Sequence, residues 1–557
     1  MEEKIRSAVG KALAEAGAPG AVFSVEWPAD ASNGDYATNA ALVAAKVLGK
    51  NPKALAEELA PRIQEALGGA AASVGVAGPG FINVTLARAH FSGILSEAGE
   101  EGWGSSSVNA GKTLMIEYSN PNPFKEMHIG HLMSNIIGEA VSRLVESSGT
   151  RVYRDTFGGD VGPHVAKALW ALLKKGTQDV GNAKEIGDAY IHGSKAYEES
   201  ETAKAEIDAL NTRIYDVVAR QDETLAADDH ALLTLWRRGR DVSMEEFMRI
   251  FRVLGSKFDY VFYDSDTTEP GLRLVREGVG SGVFEESDGA VIYRGEKKGL
   301  HTLVFITSRG TPTYETKDVG LAFLKEERCS TDRVIILTGV EQTGHFKVYL
   351  AALEEFAPLL AKKTEHLGHG LLSLTTGKMS SRKGNIITGA GLLADMIALA
   401  LKRNEDPLIA EQVAVAAVKY MILRQAAGAN VVFDPETSLS LEGDSGPYLQ
   451  YAYVRAKSVL AQSGKKGSAK AAPETPYLIE RLIARFPATV ARAERERAPH
   501  HLAQYLTALA GEWNSFYAAN RILGGEHEDY KLLVAAAFAR TMERGLYLLG
   551  IPAPERM

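Results

Sequence analysis

At 557 residues the chain is too long for one hydrophobic core, and we expect roughly three or four domains. Its composition, 45% hydrophobic and 24% charged, is typical of globular proteins. No apolar run is long enough to span a bilayer, and no basic segment followed by an apolar one opens the chain, so we expect neither a membrane span nor a secretory signal. The net charge of -8 argues against nonspecific coating of nucleic acid, although a local basic surface can still bind a large RNA.

The cysteine content limits the covalent cross-links and metal sites that the chain can form. The single cysteine, Cys329, excludes an internal disulfide and a cysteine-rich zinc site. Chains without disulfides are typical of reducing compartments, so we expect a cytoplasmic location.

Residues 1–105 are predicted to form an α+β module. Alanine-rich segments with helical periodicity alternate here with short apolar segments of strand length. The predicted helices are Ile5–Ala16, Asn39–Leu48 and Lys53–Leu67, and the predicted strands are Ala21–Val25 and Phe81–Leu86. The Gly- and Ser-rich residues that follow, up to Gly111, predict a linker.

The stretch Glu117–His131 carries the clearest functional signal. The apolar segment Leu114–Ile116 precedes it, and a helical pattern follows it. Two prolines within the stretch cannot continue a helix, so we expect a strand, a kinked loop and a helix. Parallel sheets present nucleotide sites at helix N-termini in this way. His128 and His131 lie where the helix would begin, and Gly130 between them lets a ligand approach the backbone.

Residues 111–405 are predicted to be a parallel-sheet domain around this stretch, with a helical insertion at about 185–255. Arg333–Leu337 has the composition of a buried strand, and the polar residues Thr338–Gln342 follow its C-terminal end, where open parallel sheets bind ligands. From about residue 405 the pattern is helical throughout, so residues 406–557 are predicted to be an all-α domain.

Gly377–Asn385 is a basic loop bounded by small residues. Lys378, Arg382 and Lys383 lie within it, and cations at this spacing suit a clamp for a polyphosphate. The alternative is a solvated basic loop without a ligand.

Several motifs in one order resemble a known family. His128–His131, followed by Lys378–Gly384, resembles the two signature motifs of class I aminoacyl-tRNA synthetases. Further segments resemble the arginyl-tRNA synthetases within that class, namely Gly34–Asn39, Ser119–Asn122, Tyr314–Asp318, Gly339–Gln342, Asn514–Tyr517 and Leu549–Pro554. The resemblance extends over essentially the whole chain. It implies a multidomain α/β protein with a Rossmann-like catalytic domain, an N-terminal tRNA-contacting module and a helical anticodon-binding domain.

The resemblance also implies the reaction. Arginine and ATP would form arginyl-adenylate and pyrophosphate, and arginine would then pass to its tRNA, with an activation step that depends on tRNA. ATP would be a substrate with Mg²⁺ held mainly by phosphates and water, without zinc or an organic cofactor. The implied partners are arginine, ATP and the tRNA for arginine, and a monomer is the family default. The alternatives are a catalytically inactive RNA-binding paralogue, or another class I synthetase such as a cysteinyl or methionyl enzyme, whose common zinc sites need cysteines.

Residue roles follow from the matched motifs. Because the attack of a carboxylate on the α-phosphorus increases charge on phosphate oxygens, positioning and electrostatic stabilisation should dominate. The expected catalytic residues are Lys125, His128, His131, Lys378, Arg382 and Lys383. The expected ATP-binding residues are His128, Gly130, His131, Gly339, Lys378, Met379 and Ser380. The expected arginine-binding residues are Glu117, Asn122, Tyr314, Asp318 and Gln342.

The chain departs from the class pattern at one position. The second motif usually has a lysine where this chain has Ser381. The missing cation could be replaced by Arg382 or Lys383, or by Lys125, which we favour because related arginyl enzymes often carry a lysine just before the first motif.

Two of the arginine-site expectations have structural alternatives, since Asp318 could cap a helix and Glu117 could pair with a lysine. For tRNA, aromatic and cationic residues suit contacts with single-stranded loops. The expected tRNA-binding residues are Phe81, Asn83, Tyr448, Gln450, Tyr451 and Arg455, although tyrosines at this spacing also occur in helix cores.

Overall fold

The computed structural model describes residues 1–220, 225–375 and 388–557. Contacts divide the described chain into two compact units. The first unit comprises Met1–Trp103, Ala452–Ala488 and Ala508–Arg544, and the second comprises Gly104–Tyr451, Thr489–Thr507 and Gly545–Met557. No helix in the described ranges is long and apolar enough to cross a membrane.

The N-terminal part of the first unit packs helices against an antiparallel sheet. The helices are α1 (Glu2–Glu15), α2 (Ala40–Leu48), α3 (Pro52–Leu67) and α4 (Arg88–Glu97). The strands, in the order β1-β2-β4-β3, are β1 (Val25–Glu26), β2 (Tyr36–Thr38), β3 (Ala71–Ala77) and β4 (Phe81–Leu86). The α+β prediction and strand Phe81–Leu86 are therefore confirmed.

The predicted strand Ala21–Val25 is wrong over most of its length. Only Val25 of that segment pairs, with Thr38, and the strand continues to Glu26 opposite Ala37. A strand needs a partner along its length, and β2 is too short to provide one for the earlier residues.

The second unit is built on a parallel sheet with the order β12-β11-β5-β6-β7. Its strands are β5 (Thr113–Glu117), β6 (Arg151–Gly158), β7 (Tyr260–Tyr263), β11 (Arg333–Gly339) and β12 (Thr364–His369). The chain extends from β5 to β6 on one side, and β11 lies on the other side of β5. Such a switch point is where open α/β sheets form a ligand crevice at the carboxyl ends of their strands.

Helices surround this sheet. Those preceding residue 389 are α5 (Ile129–Glu146), α6 (Pro163–Lys174), α7 (Ala183–Glu199), α8 (Glu201–Arg220), α9 (Ala227–Val253), α10 (Asp264–Gly280), α11 (Tyr314–Arg328), α12 (Thr343–Phe356) and α13 (Pro358–Lys363). Helices α7 to α9 form the predicted helical insertion and share a hydrophobic core with α6. A small antiparallel sheet contains β8 (Glu285–Ser287), β9 (Ala290–Tyr293) and β10 (Leu303–Ile306).

The C-terminal residues are mainly helical. Their helices are α14 (Gly389–Leu401), α15 (Pro407–Leu423), α16 (Pro435–Ser438), α17 (Gly446–Ser463), α18 (Leu478–Glu496), α19 (Pro499–Ala519) and α20 (Glu528–Leu548). The expectation of helix throughout is wrong at β14 (Val431–Phe433), which pairs in parallel with β13 (Leu372–Leu374). β-branched and aromatic residues favour a strand here because a partner strand is present.

Candidate active site

A cavity of about 670 Å³ opens at the carboxyl ends of β5 and β11, within the second unit. The loop after β5, the start of α5, the start of α11 and the turn after β11 form its walls. Predicted residues that line it are Glu117, Asn122, His128, Gly130, His131, Tyr314, Asp318, Gly339 and Gln342. The structure therefore brings together, at the sheet edge, segments that are far apart in the sequence.

The loop after β5 has an unusual backbone. Ser119, Asn120 and Phe124 have positive φ angles of 76°, 52° and 65°. Such conformations cost non-glycine residues about 1–3 kcal/mol each. Hydrogen bonds to distant residues stabilise this loop: the amide of Ser119 donates to Oγ of Ser134 at 3.0 Å, and that of Phe124 donates to Oγ of Ser243 at 3.1 Å. The loop is thus held in one shape by two different helices, α5 and α9.

Two asparagine side chains attach the same loop to the end of β6. Asn120 accepts from the amide of Phe157 at 2.9 Å and donates to Glu117 at 2.7 Å. Asn122 accepts from the amide of Gly159 at 2.8 Å. A Cβ at Gly159 would lie 2.8 Å from that oxygen of Asn122, so a larger residue there would displace the asparagine side chain. With its Oδ1 engaged in this way, the side chain of Asn122 presents its NH₂ group to other partners.

The two histidines cap α5 and stack, with 3.7 Å between their ring centroids. Nδ1 of His128 accepts from the amide of Gly130 at 3.0 Å, and Nδ1 of His131 accepts from the amide of His128 at 3.3 Å. Loss of water in the cleft lowers the pKa of His128, and it lowers the pKa of His131 well below 6.5. The positive charge of Lys125 is a smaller cause of both shifts. Both rings are therefore neutral near pH 7, and each has its proton on Nε2 as a hydrogen-bond donor.

Lys125 acts electrostatically on these rings without lining the cavity. Its Nζ is 5.3 Å from the ring centroid of Tyr190, and in the described parts of the chain it has no ion pair with a carboxylate. Burial lowers the pKa of Lys125, while its charge contributes to lowering the pKa of His128, His131 and His164. An unneutralised cation beside two neutral donors is a suitable environment for phosphate oxygens.

The residues of the predicted basic clamp, Lys378, Met379, Ser380, Ser381, Arg382 and Lys383, lie outside the described residues. Of the described residues on either side of them, Leu372 lines the cavity, and Thr388 forms a β-bridge with His128, which lines it too. The amide of Gly389 also donates to the carbonyl of Met127 at 2.6 Å.

The opposite side of the cavity is acidic. Asp318 contacts Nε2 of His345 at 2.9 Å, and Glu315 contacts Nδ1 of the same ring at 3.3 Å. Although burial alone would lower it, these carboxylates raise the pKa of His345 to about 10, so the ring is an imidazolium near pH 7. Burial raises the pKa of Asp318, and His345 opposes that rise. Asp318 does not cap α11, because that helix begins at Tyr314.

Glu117 is buried and already has a cationic partner. Nζ of Lys325 lies 2.5 Å from Glu117 and 2.7 Å from Asp155, which is the register partner of Glu117 on β6. Desolvation raises the pKa of Asp155 to about 7 against the opposing effect of Lys325. The alternative that Glu117 pairs with a lysine is thus what the structure shows, and the carboxylate also faces the cavity.

The other predicted arginine-binding side chains are more open to solvent. Tyr314 is 68% exposed, and Gln342 is exposed in the turn after β11. Sequence reasoning missed Glu315, His345 and Asp264, which line the same cavity. The available signals were the spacing of Glu315 and Asp318 along one helix and the position of His345 just after the polar residues that follow β11.

The predicted tRNA-binding residues differ in exposure. Phe81 and Asn83 lie on the same face of β4, with Phe81 41% exposed. Tyr451 is exposed, Tyr448 is half-buried, and the guanidinium of Arg455 lies 4.0 Å from the ring centroid of Tyr517.

Gln450 differs from that group because its side chain is fully buried. Its amide donates to the carbonyls of Gln412 at 3.2 Å and Pro552 at 2.8 Å. The burial argues against the predicted RNA contact and indicates a structural role.

Comparisons with known proteins agree along the chain. Family models match for "tRNA synthetases class I (R), catalytic domain" at residues 92–434, "DALR anticodon binding domain" at 449–557 and "Arginyl tRNA synthetase N terminal domain" at 3–86. The arginine–tRNA ligase of Bacteroides fragilis is 31% identical over 86% of both chains, and that of Treponema pallidum is 29% identical over 100% of this chain and 99% of its own. The arginyl-tRNA synthetase structure of Thermus thermophilus aligns over 100% of both chains, with a TM-score of 0.79 and 26% identity. Since the catalytic-domain model alone matches more than half of the residues, the chain belongs to the arginine-type class I tRNA synthetases.

Proposed function

We propose that this cavity is where the chain, acting as an arginine–tRNA ligase, activates L-arginine with ATP before transfer to tRNA. The observation that carries the assignment is the division of the cavity into two ends. One end has neutral histidine donors near a lysine that has no carboxylate partner in the described ranges, with the exposed Glu341 also acting on His128. The other end has the buried carboxylate of Glu117 and the largely buried carboxylate of Asp318. A triphosphate suits the first end and a guanidinium suits the second.

In the first step a carboxylate oxygen of arginine attacks the α-phosphorus of ATP. The bond from that phosphorus to the pyrophosphate oxygen breaks, which leaves arginyl-adenylate and pyrophosphate. Negative charge increases on the phosphate oxygens, so donors placed in advance stabilise the transition state. We assign this role to the Nε2–H groups of His128 and His131 and to the ammonium of Lys125, while Gly130 and Gly339 leave room for the nucleotide.

We assign Lys378, Arg382 and Lys383 to the pyrophosphate, and Met379 and Ser380 to ATP, on the match of their motif to the family. Lys125 takes the place of the lysine absent at Ser381. Mg²⁺ enters with ATP as part of that substrate, bound mainly by phosphates and water.

At the acidic end, Asp318 and Glu117 bind the guanidinium of the substrate, and Tyr314 packs against it. Asn122 and Gln342 bind the ammonium and carboxylate of the amino acid. Lysine lacks the planar fork of donors that makes paired contacts with carboxylates, so it is rejected without an editing step.

Binding of tRNA is assigned to the remaining parts of the chain. Residues 1–105, through Phe81 and Asn83, contact the tRNA, and residues 406–557 bind the anticodon with Tyr448, Tyr451 and Arg455. Residues 111–405 form the catalytic domain. We further propose a cytoplasmic monomer, consistent with the single cysteine and the family default.

The test is ATP–pyrophosphate exchange with arginine, lysine, cysteine or methionine, each with and without total tRNA. We expect exchange with arginine alone among the four, and only when tRNA is present. Exchange with arginine but without tRNA would overturn the coupling to tRNA. Absence of exchange with every amino acid, while tRNA still binds, would indicate the inactive paralogue.

The role of Lys125 is tested in the same assay with Lys125→Ala. Loss of a cation that stabilises the transition state should lower the exchange rate by about 100-fold. Lys167→Ala is the matched control, because Nζ of Lys167 also contacts an aromatic ring, 4.5 Å from the centroid of Tyr197, but Lys167 is not among the charges that act on His128 and His131. A rate for Lys125→Ala within a few-fold of wild type would overturn the assignment.

A further inference from the structure

The helical insertion, α7 to α9, contacts the loop after β5 at Phe124 and Lys125, just before His128. We infer that Tyr190 of α7 is a positioning residue that places the ammonium of Lys125 for adenylate formation. The inference rests on the role proposed for Lys125 and extends it, since it gives the insertion a part in catalysis.

The side-chain contact is the first observation. Nζ of Lys125 lies 5.3 Å from the ring centroid of Tyr190, within the range of a cation–π interaction. Lysine has a long, flexible stem, so an ammonium without a partner would occupy many positions. Within the described ranges, this ring is the contact that the structure shows for the ammonium.

The backbone before Lys125 is fixed by the same insertion. Phe124 is fully buried in the hydrophobic core that the insertion shares with α6. Its ring fits against α9 so closely that a Cβ at Gly239 would lie 2.4 Å from Cε1 of Phe124. Its amide donates to Oγ of Ser243, also on α9. The insertion therefore contacts both the backbone that leads to Lys125 and the side chain itself.

An aromatic partner suits this position better than a carboxylate would. A carboxylate would neutralise the lysine and occupy its N–H donors. A ring face attracts the ammonium without cancelling its charge, so the donors remain available to an anion.

The experiment compares Tyr190→Phe and Tyr190→Leu in arginine-dependent ATP–pyrophosphate exchange with tRNA. Phenylalanine keeps the ring face, so its exchange rate should stay within about twofold of wild type. Leucine removes the ring face and should lower the rate by about tenfold, the size expected for a partly desolvated cation–π contact. The KM for arginine should not change in either variant, because Lys125 acts on the phosphate. Tyr197→Leu is the control, since it removes a similar lysine contact on the same helix.

A double-mutant cycle separates an effect that acts through Lys125 from a loss of activity caused by disturbed packing of the insertion. In a Lys125→Ala background, Tyr190→Leu should lower the rate no further, because the residue through which it acts is absent. A tenfold loss that persists in that background would overturn the inference. So would a Tyr190→Leu enzyme with the wild-type rate while Lys125→Ala is impaired, a result that leaves the proposed function intact. If Lys125→Ala itself has the wild-type rate, the proposed role of Lys125 fails, and the inference fails with it.

A second measurement keeps the side-chain volume nearly constant, so that the packing of the insertion is preserved. Phenylalanine analogues with increasing numbers of ring fluorines, incorporated at position 190, weaken the negative potential of the ring face while keeping its shape. The exchange rate should fall stepwise with each added fluorine. Equal rates across the series would overturn the cation–π basis of the inference.

Discussion

The two ends of the cavity differ in whether their charged side chains are paired with groups of opposite charge. At the end that we assign to the phosphates of ATP (the phosphate end), His128 and His131 are neutral donors. Lys125 has no ion pair with a carboxylate there in the described parts of the chain. At the end that we assign to arginine (the amino-acid end), four of the described carboxylates that line the cavity already contact cations of the protein. Asp318 and Glu315 contact His345, Glu117 contacts Lys325, and Asp264 contacts Lys317.

The physical reason lies in what each end receives. A buried carboxylate without a cation takes up a proton, and a protonated acid cannot bind a guanidinium as an ion pair. An internal cation favours the ionised form of such a carboxylate before arginine arrives. Under the proposed function the phosphate end receives ATP, so it needs donors that no anion of the protein occupies. Under the proposed function, this difference favours selection of arginine by hydrogen-bond geometry and not by a large excess of negative charge.

Asp318→Asn tests the acidic end of the cavity most directly. The change removes an ionised acceptor for the guanidinium, and it leaves Glu315 as the carboxylate that contacts the imidazolium of His345. Truncating a buried charge pair costs about 2–5 kcal/mol, so the KM for arginine should rise by about 30- to 5,000-fold while that for ATP stays constant. Arginine-dependent exchange kinetics measure both KM values.

The control for this prediction is Asp216→Asn, which removes an exposed carboxylate of the helical insertion that pairs with Arg220. Its KM for arginine should equal the wild-type value, because a change on the solvent-exposed side of α8 does not reach the cavity. An unchanged KM for arginine in Asp318→Asn would mean that the guanidinium binds elsewhere.

A second test addresses the neutral donors at the phosphate end. His131→Ala removes a donor to the phosphate and should lower the exchange rate by about 100-fold. His131→Gln keeps a neutral N–H donor and should recover most of that loss. Because the pKa of His131 is well below 6.5, the wild-type and His131→Gln rates should have parallel pH profiles from about pH 8 to about pH 6.5.

His230→Gln, at an exposed position near the start of α9, is the control for that substitution. A wild-type rate that falls on acidification through neutral pH, while the His131→Gln rate does not, would show that His131 is protonated in this range. Its role as a neutral donor would then be wrong.

His345→Gln removes the internal cation beside Asp318, and its effect should be smaller than those of the preceding substitutions. Burial raises the pKa of Asp318 and His345 opposes that rise, so removal of the imidazolium should raise the pKa of Asp318 further. A larger fraction of Asp318 is then protonated at low pH. In the variant the KM for arginine should rise about three- to tenfold from about pH 8 to about pH 6, while the wild-type value stays nearly constant.

His501→Gln provides the comparison, since His501 contacts the carboxylate of Glu496 at 2.6 Å and does not line the cavity. Parallel pH profiles of KM in His345→Gln and wild type would show that Asp318 stays ionised without its internal cation.

Much of the fold was predictable because its signals are local. The apolar segment before Glu117, the prolines after it and the helical pattern beyond His131 are each properties of neighbouring residues, and they correctly predicted β5, the loop and α5. Strand Phe81–Leu86 was predictable for the same reason. The family motifs predicted which distant segments come together, and the structure shows residues of several of these segments lining one cavity.

Tertiary structure alone decided which charges are neutralised. Glu117 pairs with Lys325, which is 208 residues away in the sequence, and a pattern of neighbouring residues cannot identify so distant a partner. Gln450 is buried for a similar reason, since its carbonyl partners come from Gln412 and Pro552. Sequence by itself determined which residues could carry charge or donate hydrogen bonds. Packing determined their partners, because desolvation and pairing depend on what lies within a few ångströms in space.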